Sequence, residues 1–193
     1  MRWIRLITLY IFWFVLVVFL QLVWSNAWVW RLAAPQFLLM FAIVCGYLFG
    51  FGEGSVVALA AGMIVDLAFG RNLGVGMLLY FWLAALAAVM GGQRRRRSLW
   101  YLLMVAVIAF VGHELGVTVL TVVIIRIGGG GLEIPAISVW LTDSVLPGLA
   151  INVPLAALLY FALRYAGPYS ALELTRRELA ADEKLQGEKI KDS

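Results

Sequence analysis

Between Pro35 and Asp66 the chain is apolar for far longer than the ~20 residues one membrane-crossing helix needs. Glu53 is the only charged side chain inside that run. Comparable apolar runs recur before and after it. Of the 193 residues 64% are hydrophobic and 13% charged, whereas a soluble domain keeps about 25% charged. Such a chain suits a bilayer as its solvent. Only helices and closed barrels satisfy their backbone groups in lipid. The runs are continuous rather than alternating, which excludes a barrel. The expected fold class is an all-α polytopic membrane protein with about six transmembrane helices in a compact bundle.

The spans follow from interruptions in the apolar pattern. The first is expected over about Trp3–Trp24, with Trp24, Trp28 and Trp30 as interfacial anchors. Its apolar part is longer than a signal-peptide core and no small-residue cleavage site follows, so it reads as a retained span. Pro35 is placed to open the second helix. "GFGEG", Gly50 to Gly54, reads as a tight turn that divides the long run into spans at about Pro35–Gly50 and Gly54–Phe69. A single tilted helix is the alternative, but it leaves an odd number of crossings between the basic start (Arg2, Arg5) and the cluster Arg94, Arg95, Arg96, Arg97. Both basic regions belong on the cytoplasmic side, so the split is preferred. Spans at about Val75–Met90, Leu99–Ile125 and Val139–Leu163 complete the set. Both termini are then cytoplasmic. Residues 1–166 form the bundle, and 167–193 form a charged tail with helix-forming composition. Leu172, Leu179 and Leu185 could share one face of that tail, with Glu173 and Arg177 paired. It reads as a solvated helix or as a helix that docks a partner.

The net charge of +4 is explained by topology, so no nucleic-acid partner is expected. Arg94 to Arg97 are expected to meet anionic lipid headgroups. Cys45 is the single cysteine and reads as a packing residue, with neither a disulfide nor a metal site implied. Ionisable residues on lipid-buried helices face protein or water. Those here are Asp66, His113, Glu114 and Asp143. His113 and Glu114 are adjacent, so they leave the helix about 100° apart and should not act on one face. Val117 stands where the zinc motif HExxH needs its second histidine. No catalytic constellation, metal site or cofactor site is expected. His113 reads as an interhelical polar contact. Asp66 reads as a helix-end carboxylate bonded to neighbouring loop backbone. A transport path through Asp66, Asp143 and Asn152 would have few polar groups to use.

Small residues say more. Gly46, Gly50, Gly54, Ala58, Gly62 and Asp66 recur every four positions, and Gly112 and Gly116 form a second GxxxG pattern. Such patterns let helix backbones approach closely. Because a turn divides it, the first ridge belongs to two helices.

The order of these features resembles the MreD family of rod-shape-determining membrane proteins, over roughly residues 1 to 165. The resemblance rests on the proline-opened "APQFLLMFAIVCGYLFG", on "GMIVDLAFGRNLG" with Gly62, Asp66 and Gly74, and on "LPGLAINVPLAALLYFALR" with Pro147, Asn152 and Arg164. The run of four arginines and the long charged tail depart from a minimal member. The resemblance implies a non-enzymatic component of the bacterial cell-elongation complex in the cytoplasmic (inner) membrane. It implies an MreC-like bitopic partner and, within the same complex, MreB, RodA and its transpeptidase. It further implies a bundle similar to the substrate-binding subunits of energy-coupling-factor transporters, so a vitamin-binding subunit is the alternative. A partner helix is expected to pack on the glycine-rich surface, with Gly46, Gly50 and Gly62 as contacts.

Overall fold

The computed structural model describes residues 2–27, 33–69, 74–92, 98–128 and 137–169. These are almost entirely helical, with α1 at Arg2–Ala27, α2 at Phe37–Phe49, α3 at Phe51–Ala68, α4 at Val75–Gly92 and α5 at Leu99–Ile127. A short α6 at Ile137–Trp140 continues through a π-helical turn at Leu141–Val145 into α7 at Leu146–Ala166. The segments Ile4–Trp24, Phe51–Ala68, Leu99–Ile127 and Ile137–Ala166 are long and apolar enough to cross a bilayer. Phe37–Phe49 and Val75–Gly91 are equally apolar but shorter. The chain is an all-α membrane protein.

The long apolar run is divided as expected, but more sharply. Only Gly50 leaves the helix, at φ +96° and ψ −176°, a backbone region open essentially to glycine alone. Gly52, Glu53 and Gly54, expected in the turn, form the first turn of α3. Glu53 suits that place because helix N-termini favour negative charge. The chain doubles back so tightly that a Cβ on Gly54 would lie 2.4 Å from the Gly46 Cα.

The second helix differs from a full span. Its 13 residues reach about 20 Å, against a hydrocarbon core of ~30 Å. Every one of them is buried, packed among α1, α3, α4, α5 and α7. It begins two residues after Pro35, with Gln36 at the N-cap. Gln36 bonds Glu114, near the middle of α5, so α2 starts well inside the bundle. Non-helical backbone at such depth is tolerated where protein satisfies it, and here Asn152 and Gln21 do so.

The π turn has a local cause. Pro147 has no N–H to donate to the carbonyl four residues earlier, and the Leu146 N–H instead bonds the Leu141 carbonyl. This widens the helix by one residue. The same rod carries Pro154 inside α7. The core joins all of α2 to Val57, Ala58, Ala61 and Val65 of α3 and to Tyr80, Ala84 and Ala87 of α4. It continues through Leu102, Val105, Ala109 and Phe110 of α5 to Leu159 and Leu163 of α7. Cys45 is a free thiol at 0% exposure inside it.

Candidate functional site

The glycine ridge is the seam where α2, α3 and α4 meet backbone to backbone. A Cβ on Gly46 would lie 2.5 Å from the Ala84 carbonyl oxygen. One on Gly62 would lie 2.5 Å from the Met77 Cα and 2.6 Å from the Gly76 oxygen. Gly91, which no pattern in the sequence singled out, would clash with the Tyr47 carbonyl at 2.7 Å. The second GxxxG pattern packs differently. Gly112 and Gly116 meet only the leucine side chains of Leu83 and Leu79. Gly46 and Gly62 are therefore enclosed by the chain's own backbone, and a partner helix could not reach them without opening the bundle.

Asp66 stands where this seam ends. It lies in the last turn of α3 with 1% of its surface exposed. Its Oδ2 accepts hydrogen bonds from the backbone N–H of Gly74 (2.8 Å), Gly76 (3.1 Å) and, more weakly, Met77 (3.4 Å), and its Oδ1 accepts from Gly76 (2.8 Å). Those N–H groups open α4. The first N–H groups of a helix have no partner within it, and its N-terminus carries partial positive charge. One carboxylate thus caps the next helix across the seam. Gly74 adopts φ +100°, which turns its N–H toward Asp66. A Cβ on Gly76 would strike the Asp66 Oδ1 at 2.5 Å. The expected helix-end carboxylate is what the geometry shows, with α4 as its partner.

A second polar cluster closes the start of α2. Asn152, fully buried in α7, accepts from the Gln36 N–H at 2.7 Å. Its amide donates to the Gly148 carbonyl at 2.9 Å and the Ala34 carbonyl at 3.4 Å. Gln21 of α1 accepts from the Leu38 N–H (3.1 Å) and donates to the Pro35 carbonyl (3.3 Å). The Gln36 side chain donates to Glu114 Oε1 at 2.9 Å, and Ser144 in the π turn donates to Oε2 at 3.2 Å. The loop entering α2 is thereby bonded to α1, α5 and α7, and Glu114 links it onward to the π turn. Pro147 is buried in the first turn of α7. Beside it, Gly148 lies so close to Phe110 that a Cβ would meet its ring at 2.3 Å.

His113 and Glu114 depart from expectation. Their backbone directions diverge, yet His113 Nδ1 lies 3.5 Å from Glu114 Oε1. Glutamate is long enough to swing back across that angle. The His113 ring is 2% exposed. It meets Tyr80 of α4 edge-on, at 5.6 Å between centroids, and among the described residues neither ring nitrogen has a hydrogen-bond partner. The interhelical contact is therefore aromatic rather than hydrogen-bonded. At the opposite end of the bundle from Asp66, the Glu53 carboxylate accepts from the hydroxyls of Tyr10 and Tyr169. Among the described residues no group of three or more His, Cys, Asp or Glu could hold a metal.

Asp66, Gly62 and Gly74 come together, as do Pro147 and Asn152 at the other cluster. Gly46 and Gly50 belong to the hairpin below them. Arg94 to Arg97, and the tail with Leu172, Glu173, Arg177, Leu179 and Leu185, lie outside the described residues. Gln21, Gln36 and Ser144 were missed. A lone polar residue in an apolar run was the only available signal for Gln21, and nothing in its spacing separates it from a helix-end residue.

The family model for the rod shape-determining protein MreD matches residues 1–165, which takes in both clusters and the seam. No curated protein and no solved structure matches the chain. The family match leaves the vitamin-binding alternative without support.

Proposed function

We propose, for a chain that belongs to the MreD family of rod shape-determining proteins, that it acts as a non-enzymatic subunit of the bacterial elongation complex. In this reading it lies in the cytoplasmic membrane with both termini in the cytoplasm. It holds an MreC-type bitopic partner and, through the complex, supports control of peptidoglycan synthesis by RodA and its transpeptidase alongside MreB. Arg94 to Arg97 face the cytoplasm and anionic headgroups. The observation that carries the reading is the family match across residues 1–165.

The geometry fits a scaffold. Asp66 and Asn152 direct their hydrogen bonds to the chain's own backbone. What the bundle offers outward is apolar side-chain surface. All buried residues of α5 precede Glu114, and Leu115, Val119, Val123 and Ile127 beyond it are exposed. The partner's single helix packs on this shell, while Gly46, Gly50 and Gly62 support it by fixing the shape beneath. Photocrosslinking residues at Val119 and Val123 test the assignment in cells. Crosslinks to the MreC-type protein are expected. Failure of that protein to co-purify or crosslink from any position of the bundle would overturn it.

A further inference from the structure

The two flanks of α1 differ in chemistry at the end that carries Arg5. On one flank a groove of about 420 Å³ runs between Tyr10, Ile11 and Phe14 of α1 and Val56 and Ala60 of α3. Its walls are side-chain carbon almost throughout. On the other flank a cleft of about 460 Å³ opens between the first turns of α1 and the end of α7. Its volume falls in the ~300–1,000 Å³ range of small-ligand sites. Arg5, Thr8, Tyr165 and Tyr169 line it, and Arg5 is the one charged residue among its described lining residues. The Glu53 carboxylate lies between the two flanks and is held by the Tyr10 and Tyr169 hydroxyls.

Three features point to an anionic occupant at the membrane surface. First, Arg5 brings a guanidinium whose planar fork matches phosphate oxygens, with Tyr165 lining the same cleft, while the Thr8 hydroxyl donates to the Ile4 carbonyl at 2.8 Å. Second, the terminal carbonyl of α7, one of four at that end whose partial charge opposes an anion, accepts a hydrogen bond from Trp13 Nε1 at 3.0 Å and is so turned to protein. Third, the cleft borders a lipid-facing apolar belt. Ile4, Ile7 and Ile11 are each more than half exposed, and the Phe161 and Tyr165 rings stack beside it at an interplanar angle of 5°. Tyrosines at such a boundary sit at headgroup depth. Among the described residues the lining has a cation and no carboxylate, which favours a net-negative headgroup over a zwitterionic one.

We propose that this cleft binds the phosphate of an anionic phospholipid, with Arg5 as its cationic ligand and Tyr165 as a hydroxyl ligand. Binding here is separate from any contact made by Arg94 to Arg97, and it does not depend on the partner protein.

Native mass spectrometry of the full chain with phosphatidylglycerol and with phosphatidylethanolamine tests it. The unmodified chain should retain a phosphatidylglycerol molecule and not phosphatidylethanolamine. Arg5→Gln should lower retention about tenfold, the scale of one strong charge-assisted contact. Thr8→Phe keeps the charge but fills the cleft, and it should do the same. Replacing Arg94 to Arg97 with glutamine should leave that lipid bound. Retention unchanged in Arg5→Gln or in Thr8→Phe would overturn the site. So would displacement of the lipid by millimolar inorganic phosphate, which would mark a site for free anions.

Discussion

The helices α2, α3 and α4 are joined by different means from α1, α5 and α7. In the first group backbone meets backbone, at Gly46 on Ala84, Gly54 on Gly46 and Gly62 on Met77. In the second group side chains do the work, as in Phe14 against Phe41 and Gly116 against the tip of Leu79. Burial follows the same division. All of α2 is enclosed, whereas α1 buries only Val17 and Gln21 among its described side chains. Lipid tails are as apolar as leucine, so hydrophobicity alone cannot hold membrane helices together. Close approach and internal hydrogen bonds must do so; here close approach is concentrated in the inner group, and side-chain hydrogen bonds from Gln21, Glu114 and Asn152 tie the outer helices to the start of α2. That leaves the outer helices free to present ordinary apolar side chains to lipid or to a partner.

The contrast can be broken from the inside. Gly62→Val places branched carbon against the Met77 and Gly76 backbone, where nothing flexible can give way. Overpacking of this kind costs ~3 kcal/mol or more. Size-exclusion profiles in detergent should show little monodisperse protein. Asp66→Ala uncaps α4 and leaves buried N–H groups unpaired, at about 2–3 kcal/mol. A lowered melting temperature in detergent, with membrane insertion retained, is the expected result. Gly50→Ala meets no atom within 4 Å, so only backbone strain acts, at about 1–3 kcal/mol. Its midpoint should fall between those of Asp66→Ala and the parent. Gly112→Ala meets one Leu83 methyl at 3.4 Å. It should shift stability by less than ~0.5 kcal/mol. If Gly112→Ala proved as damaging as Gly62→Val, the division into a backbone-packed core and a side-chain-packed shell would fail.

Much of this division was legible in the sequence. The four-residue spacing from Gly46 to Asp66 and the break near Gly50 together imply two helices sharing one ridge. Helix-end aspartate followed by glycines pointed to Asp66 as a structural carboxylate. Other features were not legible, for physical reasons. That Gly50 alone makes the reversal depends on one dihedral pair, and "GFGEG" offers three glycines that could supply it. The shortness of α2 depends on its N-terminal bonds to Gln21 on the preceding helix and to Asn152 and Glu114, which come from helices distant in sequence. Adjacent His113 and Glu114 looked divergent because helical spacing fixes the Cα–Cβ direction and leaves the end of a long side chain unspecified. Whether the ridge faces a partner or the chain itself is invisible to a spacing pattern, since either use needs the same small residues.

Asp66 acts by holding α4 to α3. The most direct measurement pairs stability with function in Asp66→Asn, which keeps one acceptor and about the same volume. Melting temperature in detergent, recovery of the MreC-type partner and cell shape would be followed in the same strain. All three should fall together, less than in Asp66→Ala, and recover together when the strain is grown at lower temperature. A variant as stable as the parent that nonetheless loses its partner and the rod shape would contradict this role, and would make Asp66 a direct contact rather than a clasp.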